Sequence, residues 1–126
     1  MSDMNMQEIV DRRRHTRFRV PKYAFAALAP DYTKVGQITN ISMGGLAFRY
    51  LDSGGPSKPS ELDIFLAGRT FYLYKLSFEI VWDLRTDEMH SNSMNTKVSG
   101  LQFGDLTPHQ ISQLEYFIQR YAIGEA

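Results

Sequence analysis

The sequence predicts a mostly β fold, namely a small six-stranded antiparallel split β-barrel closed by one C-terminal α-helix. Most of the chain consists of short segments in which apolar and polar residues alternate between turn residues, as in all-β domains. Near the C-terminus the apolar period changes from two to about 3.6 residues, which indicates a helix. The length of 126 residues suits one domain with one core.

Six segments have the composition and boundaries of strands, with aromatic or β-branched residues between turn signals. The predicted strands cover residues 23–29, 35–42, 46–50, 62–66, 72–84 and 98–103. In the second strand, a period of two places Ile38, Asn40 and Ser42 on one face. The Ser-, Gly- and Pro-rich residues 52–60 and the polar residues 86–96 are predicted to be loops.

The fifth segment has the longest alternation in the chain. Every second residue from Tyr72 to Leu84 is apolar or aromatic, and the residues between them are mostly polar, with Val81 as the exception. We therefore expect a half-buried strand whose large side chains, Trp82 among them, face the core while the other face is wet.

The last segment carries signals for the start and the end of a helix. Thr107 is a suitable N-cap, Pro108 suits the first helical position, and Gln110 completes a capping box. Apolar residues then follow helical spacing, and Gly124 lies just beyond them. The predicted helix covers residues 108–122.

Composition and charge exclude several function classes. Basic and acidic residues number 14 each, and a net charge of zero argues against a general binder of nucleic acid or membranes. The chain has no cysteine, so it has no disulfide, thiolate nucleophile or Cys-based metal site. It also lacks a signal-peptide-like apolar run and any stretch of ~18 apolar residues. We expect a cytoplasmic protein with a flexible lead-in over residues 1–10 and one domain over residues 11–124.

Signals for an enzyme or a metal site are weak. His15, His90 and His109 have no ligand-like spacing to each other or to carboxylates. Ser42 lacks the context of a nucleophile elbow, and the glycine pair at 44–45 matches neither a phosphate loop nor a dinucleotide fingerprint. The sequence therefore predicts no catalysis, no metal and no cofactor.

A basic run is the first candidate binding element. Six cations and no acid lie between Arg12 and Lys22. Arg13 and Arg17 would be ~6 Å apart along a helix axis or ~13 Å apart on one face of an extended chain. Either spacing suits a ligand the size of a cyclic dinucleotide, and guanidinium groups bind both phosphate oxygens and the O6 and N7 atoms of guanine. Alone, the run also fits solvated charges or contact with another polyanion.

The second element is the segment Asn-Ile-Ser-Met-Gly-Gly at residues 40–45. Asn40 and Ser42 offer small polar groups that could hydrogen-bond a purine edge or a phosphate. Gly45 would allow close approach of the backbone to a ligand, or a positive φ. By itself the segment also fits a β-turn or bulge in which Asn and Ser make local hydrogen bonds.

Together, the two elements resemble the paired motifs of PilZ domains. Residues 13–17, Arg-Arg-His-Thr-Arg, match R-x-x-x-R, and residues 40–45 match [D/N]-x-S-x-x-G. The resemblance extends over about residues 11–121, because six strands and a closing helix are similar to that family's barrel.

The resemblance implies a receptor for cyclic di-GMP, a bacterial second messenger. Arg13 and Arg17 would clasp the guanines and phosphates, Asn40 and Ser42 would contact guanine, and Gly45 would permit close approach. Asn40 stands where many members have Asp, so this contact carries no charge.

The resemblance also implies a stoichiometry and a mode of signalling. Arg12 resembles the arginine of members that hold an intercalated pair of ligand molecules. We expect the arginine segment, residues 11–20, to fold over the barrel when the dianionic ligand neutralises it. Output would pass through a downstream protein partner or a homodimer. Two alternatives are a PilZ-like protein adaptor that binds no nucleotide, and an RNA-binding barrel that uses surface aromatics such as Tyr72 or Trp82.

Overall fold

The computed structural model describes residues 15–51, 58–85 and 96–126. The predicted N-terminal lead-in and two predicted site residues, Arg12 and Arg13, lie outside the described residues. Most of the two predicted loops does so as well.

The described chain forms eight strands and one helix. They are β1 (Phe18–Arg19), β2 (Ala24–Ala29), β3 (Lys34–Ser42), β4 (Gly45–Leu51), β5 (Glu61–Leu66), β6 (Tyr72–Arg85), β7 (Thr96–Phe103), α1 (Pro108–Tyr121) and β8 (Gly124–Glu125). The six long strands pair antiparallel in the order β2-β5-β6-β7-β4-β3, and β3 pairs back with β2, so the barrel closes. The predicted six-stranded barrel with its C-terminal helix is confirmed.

Two strands of two residues each were not predicted. The strand β1 pairs with β3, and β8 pairs with the other side of β1, so both extend the sheet beyond the barrel. Segments this short carry no alternation from which a strand could be inferred.

The barrel interior and the buried face of α1 form one apolar core. Phe48 from β4 and Leu114 and Phe117 from α1 are fully buried in it. The ring of Phe71, which precedes β6, lies 5.2 Å from the ring of Phe117 and joins the helix to the barrel. In the part of the chain that the structure describes, no helix is both long and apolar enough to cross a bilayer.

The predicted capping box is present at the start of α1. Thr107 Oγ1 accepts from the Gln110 amide at 3.1 Å, and Gln110 Oε1 accepts from the Thr107 amide at 2.9 Å. Gln110 Nε2 also donates to the carbonyls of Tyr74 and Lys75 in β6. The helix ends at Tyr121, and Gly124 lies in β8 rather than at the helix end.

A β-bulge in β3 corrects the predicted strand faces. Ile38 pairs with Phe48 but Asn40 pairs with its neighbour Ala47, so Thr39 is an extra residue. The period of two is interrupted there, so Ile38 does not share a face with Asn40 and Ser42.

Two further bulges correct the prediction for β6. Tyr74 and Lys75 together oppose Asp63 of β5, and Val81 is extra against β7. Each extra residue reverses the face of the side chains beyond it, so the single buried face predicted from Tyr72 to Leu84 is not continuous. Of the side chains predicted to face the core, Leu76 and Phe78 are buried, whereas five are exposed, namely Tyr72, Tyr74, Ile80, Trp82 and Leu84.

The bulge near the start of β6 is tied by a buried carboxylate. Asp63 is 2% exposed, and it accepts from the amide of Lys75 at 3.0 Å and from the hydroxyls of Tyr72 at 2.9 Å and Tyr32 at 3.1 Å. Lys75 and Tyr32 have φ values of 60° and 57°. These conformations are uncommon for residues with a side chain, so the hydrogen bonds to Asp63 compensate for the strain.

We expect Asp63→Ala to lower the free energy of unfolding by about 2 kcal/mol, because it leaves buried hydrogen-bond donors without an acceptor. Urea denaturation measures this effect. Glu61→Ala, on the same strand, is the matched control and should cost less than about 0.5 kcal/mol. Equal losses in the two variants would contradict a specific role of Asp63.

We also expect stability to fall as the pH rises from 10 towards 12. Desolvation of its hydroxyl, which points to the buried Asp63, and the hydrogen bond to this carboxylate raise the pKa of Tyr72 from 10.0 to about 12, although the residue as a whole is exposed. Between these values the unfolded chain loses a proton that the folded chain keeps, so the free energy of unfolding decreases. Denaturation at a series of pH values should give a shallower decline for Tyr72→Phe than for the wild type; parallel curves would exclude this cause.

Candidate functional site

An open groove of about 420 Å³ lies on the outside of the barrel, over the β3–β4 turn and the strands β6 and β7. It is lined by His15, Arg17, Ser42, Gly44, Gly45, Leu46, Val81, Trp82, Gly100, Leu101, Gln102 and Phe103. Among these described residues none is acidic, and two, His15 and Arg17, are basic. The groove therefore suits a negatively charged ligand.

A hydrogen bond joins the two sequence motifs at one edge of the groove. Arg17 Nη1 donates to Asn40 Oδ1 at 3.2 Å, and Arg17 is half-buried. The contact is possible because β1 pairs with β3 through Phe18 and Ile41, which brings the arginine segment beside the end of β3. A guanidinium uses only one of its five donors here, so others can bind a ligand.

Ser42 is occupied by the turn that connects β3 to β4. Its Oγ accepts from the Gly44 amide at 3.0 Å and donates to the Gly45 carbonyl at 3.4 Å. Ser42 is 6% exposed. Ser42 therefore makes the local hydrogen bonds that a β-turn predicts, whereas Asn40 accepts from Arg17, which lies outside the turn.

Gly45 lets two strands approach each other. A Cβ there would overlap with the carbonyl oxygen of Leu101 in β7. Among the described glycines, positive φ values occur at Gly68 and Gly124, so the alternative of a positive φ at Gly45 is not the one that the structure has. What requires glycine at this position is the close approach of the β7 backbone.

Sequence reasoning assigned His15 no role in binding, but this exposed residue lines the groove. A Cβ on Gly44 would be 2.6 Å from Cδ2 of the His15 ring, so the imidazole packs directly on this glycine. The motif R-x-x-x-R leaves its middle positions unspecified, so the sequence carried no signal for this contact.

Trp82 is a second groove residue that sequence reasoning missed. The bulge at Val81 turns its side chain outwards, and its ring packs on the main chain of Gly100, which is its partner in β7. The sequence did contain one signal for this contact, since Gly100 lies inside a predicted strand and a glycine there often marks close approach of another group to the backbone. With 38% of its surface exposed, the indole offers an aromatic surface at the groove.

The remaining predicted site residues, Arg12 and Arg13, are outside the described residues, so their distance from the groove stays a prediction. Across the described part of the chain, no three His, Asp or Glu side chains are grouped as they would be around a metal ion.

We expect Gly100→Ala to displace the indole of Trp82, since the new methyl group would occupy the same space. Trp82 is the only tryptophan in the chain, so its fluorescence reports on this displacement directly. The emission should shift to longer wavelength and acrylamide quenching should increase. Gly104→Ala is the control, because a Cβ there is 3.1 Å from Cβ of Ser77 and away from Trp82. An unchanged emission in Gly100→Ala would contradict the packing.

Solved structures with a similar fold share this barrel. A PilZ domain with c-di-GMP of YcgR from Escherichia coli has a TM-score of 0.62 at 16% identity, with 86% of this chain and 90% of that chain covered. YcgR in complex with c-di-GMP from Escherichia coli has a TM-score of 0.62 at 15% identity, with 86% of this chain and 45% of that chain covered. MrkH, a c-di-GMP-dependent transcription regulatory factor, has a TM-score of 0.57 at 16% identity, with 85% and 49% covered.

At these identities the similarity concerns the fold, and the chain spans about half the length of the last two proteins. No curated protein sequence matches the chain. The model of the PilZ domain matches residues 11–120. Because this match includes both motifs, the six long strands and nearly all of the helix, the chain belongs to the PilZ domain family.

Proposed function

We propose that this protein is a receptor for cyclic di-GMP and binds the dinucleotide in the groove beside Arg17 and Asn40. The observation that carries this proposal is the hydrogen bond from Arg17 to Asn40, which unites motifs 23 residues apart at a groove without described acidic residues. Family membership supports the ligand, since the similar PilZ domain of YcgR is described with c-di-GMP.

The chemistry of the groove matches the two chemical parts of this ligand. Arg17 would turn part of its guanidinium to a phosphate or to the O6 and N7 edge of guanine. Asn40 would then accept from guanine N–H groups, and Trp82 would stack on a base. Base–aromatic stacking contributes about 1–3 kcal/mol, similar to a charge-assisted hydrogen bond. A few such contacts approach the ~8 kcal/mol of a micromolar site.

The arginines before the described chain would complete the site. Arg13 would clasp the ligand opposite Arg17, and Arg12 would favour an intercalated pair of ligand molecules. Residues 11–20 would become ordered over the groove when the ligand neutralises their charge. His15 supports this proposal, because it lies two residues after Arg13 in the sequence and its ring contacts Gly44 at the groove.

Signalling would use a surface that the ligand changes. Val81 and Leu84 in β6 are 59% and 60% exposed and lie next to Trp82. Apolar side chains beside a ligand site suit a contact with a downstream protein or with a second copy of the chain. A binding role is favoured over catalysis, because no described carboxylate lines the groove beside His15.

RNA binding is the second candidate, and one observation favours it. The sequence argument against it placed most aromatic side chains in the core, but Tyr72, Tyr74 and Trp82 are exposed. Tyr72 and Tyr74 form a continuous row with Phe65 and Phe25 on the outside of the barrel. The net charge of zero and the match to both PilZ motifs weigh against this candidate.

Calorimetry with cyclic di-GMP tests the proposal. We expect saturable binding that Arg17→Ala and Arg13→Ala weaken about 10- to 100-fold, since each removes charge-assisted hydrogen bonds. Arg69→Ala is the matched control, because Arg69 lies over the ring of Tyr23 rather than at the groove. Two ligands per protein, reduced to one in Arg12→Ala, would support the intercalated pair.

Two results would overturn the receptor proposal. One is the absence of heat and of chemical-shift changes with the wild type at high micromolar ligand. The other is binding of single-stranded RNA with a steep salt dependence and no preference for guanine, which would favour the RNA candidate.

A further inference from the structure

The C-terminal segment of the described chain returns to β1, the strand that directly follows Arg17. After α1 the chain extends along β1, with Phe18 opposite Glu125 and Arg19 opposite Gly124. The amide of Ile123 donates to the carbonyl of Arg19, and the amide of Ala126 donates to the carbonyl of Arg17, both at 2.9 Å. The main chain of β1 is therefore held on both sides of Phe18.

The other side of β1 lies against β3. Its register with β3 consists of the pair Phe18 and Ile41, and the Phe18 side chain is only partly buried against the core. A strand of two residues gains little from so short a pairing, since each ordered residue loses about 1–2 kcal/mol of conformational entropy. The bonds from β8 thus contribute substantially to the order of β1.

The same contacts separate the roles of two arginines. Arg19 Nε donates to the Glu125 carbonyl at 3.4 Å, so Arg19 is directed to β8. Gly124 has a φ of +148°, and a Cβ there would be 2.9 Å from Nη2 of Arg19, so this glycine makes room for the guanidinium. Arg17, two residues earlier, is directed to Asn40 and the groove.

We propose that β8 is a positioning element for ligand binding, which fixes the main chain of Arg17 and so holds its guanidinium at the groove. This inference rests on the proposed function. An arginine that is already held in place loses less conformational entropy when it binds a ligand, so its contacts contribute more to affinity. Residues 123–126 are not among the residues that line the groove, so their effect passes through Arg17.

Proline substitutions test the two backbone bonds separately. Ile123→Pro removes the donor to Arg19, and Ala126→Pro removes the donor to Arg17. Position 123 accepts proline because Ala122 is extended, with ψ of 141°, and the helix has already ended. The controls Ile123→Val and Ala126→Val keep the N–H groups. We expect each proline variant, but neither control, to bind cyclic di-GMP about 3- to 10-fold more weakly, with unchanged helical circular dichroism.

A second background separates positioning from general damage to the fold. The variant Arg17→Lys retains the charge but loses the planar guanidinium. In this background we expect the same prolines to change the dissociation constant by less than about twofold, because the oriented hydrogen bonds that β8 would position are already absent. Equal losses in both backgrounds, or wild-type affinity of the proline variants, would overturn the positioning role. An unsubstituted protein that binds no cyclic di-GMP would instead overturn the proposed function.

Discussion

The extra residue Thr39 in β3 determines which side chains build the barrel and which reach the groove. On either side of it, Ile38 and Ile41 are both buried although they are three residues apart. Asn40 and Ser42 are thereby directed to the side where Arg17 approaches. In an uninterrupted strand, Ile38 and Asn40 would share a face, so either the apolar side chain would be exposed or the polar side chain would be buried in the core. The bulge lets one strand supply both the core and the site.

The same device operates across the groove. The extra residue Val81 places Trp82 on the outside, where Gly100 gives it a flat surface to pack on. The groove thus lies between two bulged strands, with a cation at the edge near β3 and an aromatic ring at the edge near β6. Paired backbones maintain the barrel, while the bulges direct individual side chains towards the groove.

Local patterns in the sequence predicted the six long strands and the helix start, because alternation and capping depend on near neighbours. They also named Arg17, Asn40, Ser42 and Gly45, which lie together around the groove or its edge. The faces of β3 and β6 could not be predicted, since a bulge depends on contacts between strands. Asp63, for example, holds the unusual conformation of Lys75 from 12 residues away. The exposure of Trp82 was missed for the same reason.

The position of β8 also links whatever follows the helix to the groove. Glu125 pairs with Phe18 of β1, and the amide of Ala126 donates to the carbonyl of Arg17, so any polypeptide joined after Ala126 would begin next to the residue that is bonded to Arg17. A tether or fused module at that point would transmit force to a strand of only two residues. Tension on the C-terminal side would then act on the backbone carbonyls of Arg17 and Arg19, so mechanical load would be coupled to the position of the Arg17 side chain at the groove.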